Sequence, residues 1–357
     1  MARQLLKGCE AIAEAAIRGG CRYFFGYPIT PQNDIPEYMS ARLPQVGGVF
    51  LQAESEVAAS NMVYGAAGAG ARAMTSSSSP GISLKQEGLS YIAGAELPCV
   101  VVNIMRGGPG LGGIQASQGD YFQSTKGGGH GDYHMIVFAP DTVQEAVNIM
   151  YDAFDVADRY RNTVMLLADG LIGQMMEPVT LPEFKSDEQI QTAKPWAATG
   201  WHEGCGRPRA IINSLHITDE DLEALHERLQ ATYRKIEANE VRVELYNVED
   251  AEIILVAYGT MSRVCRSVIS ELAKHGVKAG MVRPITLWPF PSQAMAQVAA
   301  APSVKKFLTV EISAGQMVED VRLAVNGAKP VEFFGFPGSR IATVDEIVAK
   351  VLEMKEG

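Results

Sequence analysis

Residues 50–77 read FLQAESEVAASNMVYGAAGAGARAMTSS. The stretch opens on an apolar run, meets two carboxylates one position apart, Glu54 and Glu56, crosses a helix-length segment of small residues and closes on a second apolar run. Strand, helix and strand in that order form the crossover unit of a parallel sheet, because parallel neighbours cannot be joined by a tight turn. The helix is predicted over 55–70.

The same alternation continues outward on both sides. RYFFGYP, GGVFLQ, PCVVVNIM, MIVFAP and TVMLLAD are further short apolar runs, and helix-length segments at 83–95 and 142–157 lie between some of them. Strands that are apolar throughout, with no polar alternation, are covered on both faces. Residues 1–185 are therefore predicted to form one α/β domain. The opening MARQLLKGCEAIAEAAIRGG reads as an amphipathic helix ending at Gly19 and Gly20, without the apolar core of a signal peptide, so a cytoplasmic location is expected. Residues 186–250 show neither period clearly until Thr218, which caps a charged helix, DEDLEALHERLQATYRKIEANE, read as a joint or docking arm. From 251 to 357 the alternation resumes with AEIILVAYG, VKAGMVRP, KKFLTVE and PVEFFGF and ends in VDEIVAKVLEM, a second and smaller α/β domain.

A chain that is 47% hydrophobic and 20% charged, with a formal charge of −10, has the balance of a globular protein and lacks the gathered Lys and Arg that nucleic acid or a polybasic membrane contact requires. No segment approaches the ~18 uninterrupted apolar residues of a membrane span. The five cysteines, at 9, 21, 99, 205 and 265, include no CxxC pair, so no metal or cluster site is expected within this chain.

Four polar or glycine-rich loops follow predicted strands: GYPITPQND (26–34), AESE (53–56), TSSSSPG (75–81) and MRGGPGLGGIQASQGD (105–120). Loops gathered at strand ends make a ligand rim. Two glycine motifs fail their contextual tests. GAGARA (68–73) ends a helix and leads into a strand, the reverse of a dinucleotide fingerprint, and STKGGGHGD (124–132) has the elements of a phosphate loop in the wrong order. The spacing of Glu54 and Glu56 fits either helix capping or catalysis.

Taken together, GYPITPQ, QAESEVAASNMVYGAAGAGARAMTSSSSPGISLKQE, NIMRGGPGLGGIQASQGD and GGGHGDYH resemble the α subunit of the 2-oxoacid:ferredoxin oxidoreductases. MVRPITLWPFP (281–291) and TVEISAGQMVEDVR (309–322) extend the resemblance over nearly the whole chain. It implies an α/β fold of two parallel-sheet domains, a thiamine-diphosphate pyrimidine-binding domain and a transketolase-C-terminal-like domain. The implied activity is oxidative decarboxylation of a 2-oxoacid to acyl-CoA and CO2 with ferredoxin reduction. LADGLIGQMMEPV and the compact length are most similar to the branched-chain type acting on 2-oxoisovalerate. The same chemistry on 2-oxoglutarate, pyruvate or an aryl pyruvate, and a non-catalytic scaffold in an electron-transfer complex, are the alternatives.

The resemblance also assigns residues. Glu56 matches the family's glutamate, whose carboxyl meets N1′ of the aminopyrimidine, which leaves Glu54 as a helix-start or partner-facing acid. Tyr27, Pro28 and Ile29 line the cofactor beside it. Thr30 and Arg106 are implied to be catalytic and to hold the substrate carboxylate, which a guanidinium can grip through two hydrogen bonds. His130 is implied to bind substrate as a rim hydrogen bonder, with a loop anchor as the alternative, and Met105, Leu111, Ile114 and Tyr121 are either a substrate wall or ordinary packing. The family's GDG…NN diphosphate motif is missing, since 168–170 read ADG. The chain is thus implied to be a half-site. A β subunit would hold the diphosphate, Mg2+ and a [4Fe–4S] cluster, CoA would be a co-substrate, and a γ subunit with a ferredoxin-like δ subunit or external ferredoxin would complete the assembly.

Overall fold

Cys99–Met105 and Thr163–Asp169 are buried along their whole length and pair in parallel at the centre of a seven-stranded sheet. Val, Ile, Leu and Met on both faces of these strands leave them no stable place outside a covered sheet. The computed structural model describes residues 3–190 and 193–356. In space the strands run Thr286–Trp288, Ile136–Phe138, Thr163–Asp169, Cys99–Met105, Ala73–Ser77, Tyr23–Gly26 and Val49–Gln52, all parallel except the first. From Tyr23–Gly26 the chain goes outward to Val49–Gln52, then returns on the other side as Ala73–Ser77. That reversal opens a crevice at the carboxyl ends of the strands. All four loops expected to form a rim leave from this edge.

The second sheet has the order Val331–Gly335, Lys306–Glu311, Ile253–Val256, Ala279–Pro284 and Val243–Tyr246, with only the last antiparallel. The α/β expectation of two mainly parallel sheets holds. Val243–Tyr246 lies in the segment read as a connector, and Thr286–Trp288, from beyond 251, completes the first sheet. Backbone and hydroxyl bonds between Arg242 and Thr286 fasten this exchange.

The amino terminus departs from the expected single amphipathic helix, of which residues 1–2 lie outside the described residues. Gln4–Lys7 is a strand paired antiparallel with Met176–Val179, which satisfies its backbone, and the helix is Gly8–Arg18. That helix is buried on nearly every side rather than along one stripe. The charged helix forms at Asp219–Asn239 with Thr218 accepting a hydrogen bond from the Asp221 amide. Leu225, Leu229, Tyr233 and Ile236 are its buried stripe, and Tyr233 meets His134 and Trp288 edge-on. No helix among the described residues is long and apolar enough to cross a membrane.

Buried polar groups join the two sheets. Asp169 caps the Gly170–Gln174 helix through the amides of Leu171 and Ile172, and its carboxylate also accepts from the amide and hydroxyl of Thr260, in the first turn of Gly259–Lys274. Gln118 accepts from the Ile312 amide and donates to the Ile312 and Tyr258 carbonyls. Beside them, Arg283 grips Glu145 through two bonds of 2.7 and 2.8 Å and donates to Glu244, while Arg266 bridges Asp141 and Glu244. Burial opposes the charges of Asp141 and Glu244, but Arg283 and Arg266 outweigh it and hold both carboxyls below their ordinary values.

Replacing Arg283 with Met leaves these carboxylates without their buried partner and should cost about 3–5 kcal/mol in urea unfolding. The pH dependence has a definite sign. The native pKa values of Asp141 and Glu244 are depressed, so their stabilisation is complete above their ordinary values of 3.8 and 4.5 and is lost as pH falls through the lower native ones. Unfolding midpoints measured from pH 6 downward should fall in that acid window, and less steeply in R283M.

Candidate active site

Glu56 is the first residue of the helix Glu56–Gly68, which Ser55 caps by accepting from the Ala58 amide at 3.2 Å. An anion is favoured at that end of a helix, yet this one is turned inward and only 5% exposed. It lies against the first turn of the helix Ser79–Gly94: a Cβ built on Gly81 would stand 2.5 Å from Glu56 Oε1 and overlap Ser77 Oγ. Glycine at 81 is what lets the carboxyl lie there. Among the described residues the carboxyl accepts no hydrogen bond, and the hydroxyls of Thr75, Ser77 and Ser78 are buried without partners. Glu54, two residues earlier, is exposed.

The GYPITPQ loop leaves Tyr23–Gly26 with Tyr27, Pro28 and Thr30 exposed and Ile29 half-buried. Its anchor is Gln32, fully buried, whose amide donates to the Tyr27 carbonyl and accepts from Ser76 Oγ at 2.5 Å. Arg106 follows the strand Cys99–Met105 and is 5% exposed. It donates through Nη1 to the Thr30 carbonyl at 2.9 Å and to Thr30 Oγ1 at 3.4 Å, and through Nη2 to the Leu111 carbonyl at 2.8 Å. Its Nε has no partner among the described residues. Ser79, opening the neighbouring helix, accepts from the Arg106 amide and donates to Asp120, which also accepts from Asn103. Burial pushes the Asp120 carboxyl up, against the lowering effect of those two donors.

The structure thus brings Arg106 and Thr30 into contact and sets Glu56 beside the same helix start. It does not bring His130 there. The His130 amide donates to Ser90, whereas Arg106 is bonded to Ser79, eleven residues earlier on the same helix. That separation is about 16 Å of helical rise. The candidate wall divides as well: Leu111 and Ile114 are exposed, Met105 is inside the sheet, and the Tyr121 hydroxyl is bonded to Asp320 across the domain boundary.

Sequence reasoning missed Gln32, Asp120, Gln118 and Lys85. Lys85 is fully buried and donates to the Glu56 carbonyl at 3.4 Å. A signal for it existed, since Ile82, Lys85, Leu89 and Ile92 follow the spacing of a buried helical stripe.

These residues fit a thiamine site. A largely buried carboxyl with unused acceptor capacity, beside the unpartnered Ser77 hydroxyl, suits a flat aminopyrimidine, which carries both donors and acceptors. Residues 14–244 match the family "Pyruvate flavodoxin/ferredoxin oxidoreductase, thiamine diP-bdg", and residues 251–347 match "Pyruvate:ferredoxin oxidoreductase core domain II". The ketoisovalerate oxidoreductase subunit VorB of Methanothermobacter marburgensis is 48% identical over 354 residues, covering 99% of this chain and 98% of the relative. The 2-oxoglutarate synthase subunit KorA of Archaeoglobus fulgidus is 38% identical over 343 residues, 94% of this chain and 95% of the relative. Among solved structures, a 2-oxoglutarate:ferredoxin oxidoreductase from Magnetococcus marinus with 2-oxoglutarate, coenzyme A and succinyl-CoA bound superposes with a TM-score of 0.85 at 26% identity. That match covers 99% of this chain and 65% of the other. A split-gene transketolase at 14% identity and a TM-score of 0.59 shares the fold.

The Gly81 packing predicts a contrast between two glycines. Gly81→Ala should destabilise by about 1–3 kcal/mol through overpacking. Gly65→Ala, on the exposed face of the Glu56–Gly68 helix where a Cβ would meet nothing within 4 Å, should stabilise by about 0.5–1 kcal/mol. Denaturant midpoints of the two variants check this.

Proposed function

Because the chain belongs to the pyruvate flavodoxin/ferredoxin oxidoreductase family, as a 2-oxoacid:ferredoxin oxidoreductase subunit, we propose that it contributes the activating half of a thiamine-diphosphate site and acts on branched-chain 2-oxoacids such as 2-oxoisovalerate. The observation that carries this reading is the buried Glu56 carboxyl held across Gly81 at the topological switch of the sheet. The names of the two relatives near 48% identity support the branched-chain choice.

Thiamine diphosphate supplies a nucleophilic thiazolium carbon and a sink for the electrons released on decarboxylation. Glu56 would exchange a proton with N1′ of its aminopyrimidine, and Tyr27, Pro28 and Ile29 would hold the ring. General acid–base groups of this kind contribute about 10²–10⁴-fold. The substrate carboxylate is held by the Thr30 hydroxyl and by the Arg106 guanidinium, which the Thr30 and Leu111 carbonyls orient. Leu111 and Ile114 offer apolar contact to the substrate side chain, and His130 anchors its loop. A hydrophobic wall discriminates by only ~1–3 kcal/mol per methylene, so neighbouring 2-oxoacids are turned over more slowly rather than refused. A β subunit holds the diphosphate, Mg2+ and a [4Fe–4S] cluster. A γ subunit, and a ferredoxin-like δ subunit or external ferredoxin, complete a cytoplasmic enzyme that uses CoA as co-substrate.

The test is CoA-dependent dye reduction by the chain co-expressed with its partner subunits, using 2-oxoisovalerate, 2-oxoglutarate, pyruvate and phenylpyruvate. The highest kcat/KM is expected with 2-oxoisovalerate. Glu56→Gln should lower kcat by at least ~10²-fold with the assembly intact, and Arg106→Lys should raise KM for the 2-oxoacid by roughly 10- to 100-fold. Full activity in E56Q, or a preference for 2-oxoglutarate, would contradict the corresponding part of the reading.

A further inference from the structure

The protein buries two lysines in different ways. Lys185 is sealed among the Asp155 carboxylate at 2.5 Å, the Tyr151 carbonyl at 2.8 Å and the face of the Tyr151 ring. That is the partner set a buried ammonium requires. Lys85 is buried more completely and has one contact, the 3.4 Å bond to the Glu56 carbonyl, with no carboxylate within 4.0 Å among the described residues. A lysine placed for stability alone would have more partners.

The charged groups around it narrow its role. The strands Ala73–Ser77 and Cys99–Met105 beneath its helix carry no acid or base other than the buried Cys99 thiol, and Asp169, ending the next strand, is engaged by Thr260. Glu87 on its own helix is exposed, as are Lys126, His130 and Asp132 of the loop packed on that helix, and Arg106 is held by Thr30 and Leu111. Burial lowers the Lys85 pKa from 10.5 to about 8, and Glu56 is the one charge that acts to raise it.

We infer that Lys85 is a positioning residue for Glu56, fixing the first turn of the Glu56–Gly68 helix by its carbonyl and placing a buried positive charge near the Glu56 carboxyl, beyond ion-pair distance. The inference rests on the reading of Glu56 given above. A carboxyl that exchanges a proton in a largely buried place changes the local charge at each exchange. A buried cation held near it offsets that change, as a lysine on the surface would not.

The experiment uses the assembled complex with Lys85→Met, Lys85→Gln and, in parallel, Glu56→Gln. Met has similar length and no charge, whereas Gln keeps a donor for the Glu56 carbonyl without the charge. K85M should unfold in urea at the same or a higher midpoint than wild type, because a poorly partnered buried cation gives way to an apolar chain. Its advantage should be greatest below pH 8 and shrink as pH rises toward 10.5, where native Lys85 is neutral and the unfolded lysine still carries its proton. In both variants kcat should fall by the roughly 10- to 100-fold that loss of a supporting residue costs, with little change in KM for the 2-oxoacid. Wild-type kcat in K85Q would show that the charge is not needed and overturn the inference. So would a K85M that is less stable yet fully active, or failure of both variants to assemble, each of which would make Lys85 structural. Full activity in E56Q would instead remove the premise about Glu56.

Discussion

The approach of the Glu56 carboxyl to the backbone at Gly81 is the constraint around which the site is arranged. A carboxylate largely turned away from water needs surroundings shaped to receive it. Two parallel helices do this. Gly81 and Gly88, one heptad apart on Ser79–Gly94, present bare backbone to Glu56 and Ser60 of the facing helix. The run of small residues after Glu56 is the other side of the same close packing. Side chains at 81 and 88 would part the helices and let water reach the acid.

The sheet supplies the second half of the arrangement. Its strand order reverses between Tyr23–Gly26 and Ala73–Ser77, so the Gln32-anchored loop, the glutamate helix and the serine-led helix start at one crevice. The second domain then steadies the Arg106 loop from behind. Gln118 is bonded to Tyr258 and Ile312, Gln316 reaches the Phe122 amide and the Gly119 carbonyl, and Ser339 donates to the Gln115 carbonyl. A glycine-rich loop with exposed Leu111 and Ile114 would otherwise hold Arg106 poorly. Orientation of the guanidinium is therefore a property of both domains.

Much of this was legible because it is written in local patterns. Apolar runs fully covered in the sheet, Thr218 as a cap, and four loops at strand ends are consequences of periodicity and turn chemistry alone. The strand Gln4–Lys7 was not legible, because it pairs with Met176–Val179 from far along the chain. The exchange of Val243–Tyr246 and Thr286–Trp288 between sheets is likewise a matter of tertiary pairing. Lys85 was overlooked for a different reason. Its place on a buried stripe could be read, but lysine is so rarely buried that composition argued against it. His130 sits in a stretch that resembles the family as well as any other, yet only the structure shows how far along the helix it lies from Arg106.

The most direct test of the central claim, that Glu56 is the group that activates the cofactor, bypasses turnover altogether. Exchange of the thiazolium C2 proton for deuterium in thiamine diphosphate bound to the assembled complex, followed by acid-quench NMR without any 2-oxoacid, isolates that step. The account predicts exchange much faster than in the free cofactor for wild type and close to the free rate for E56Q. Equal, fast exchange in both complexes would contradict it.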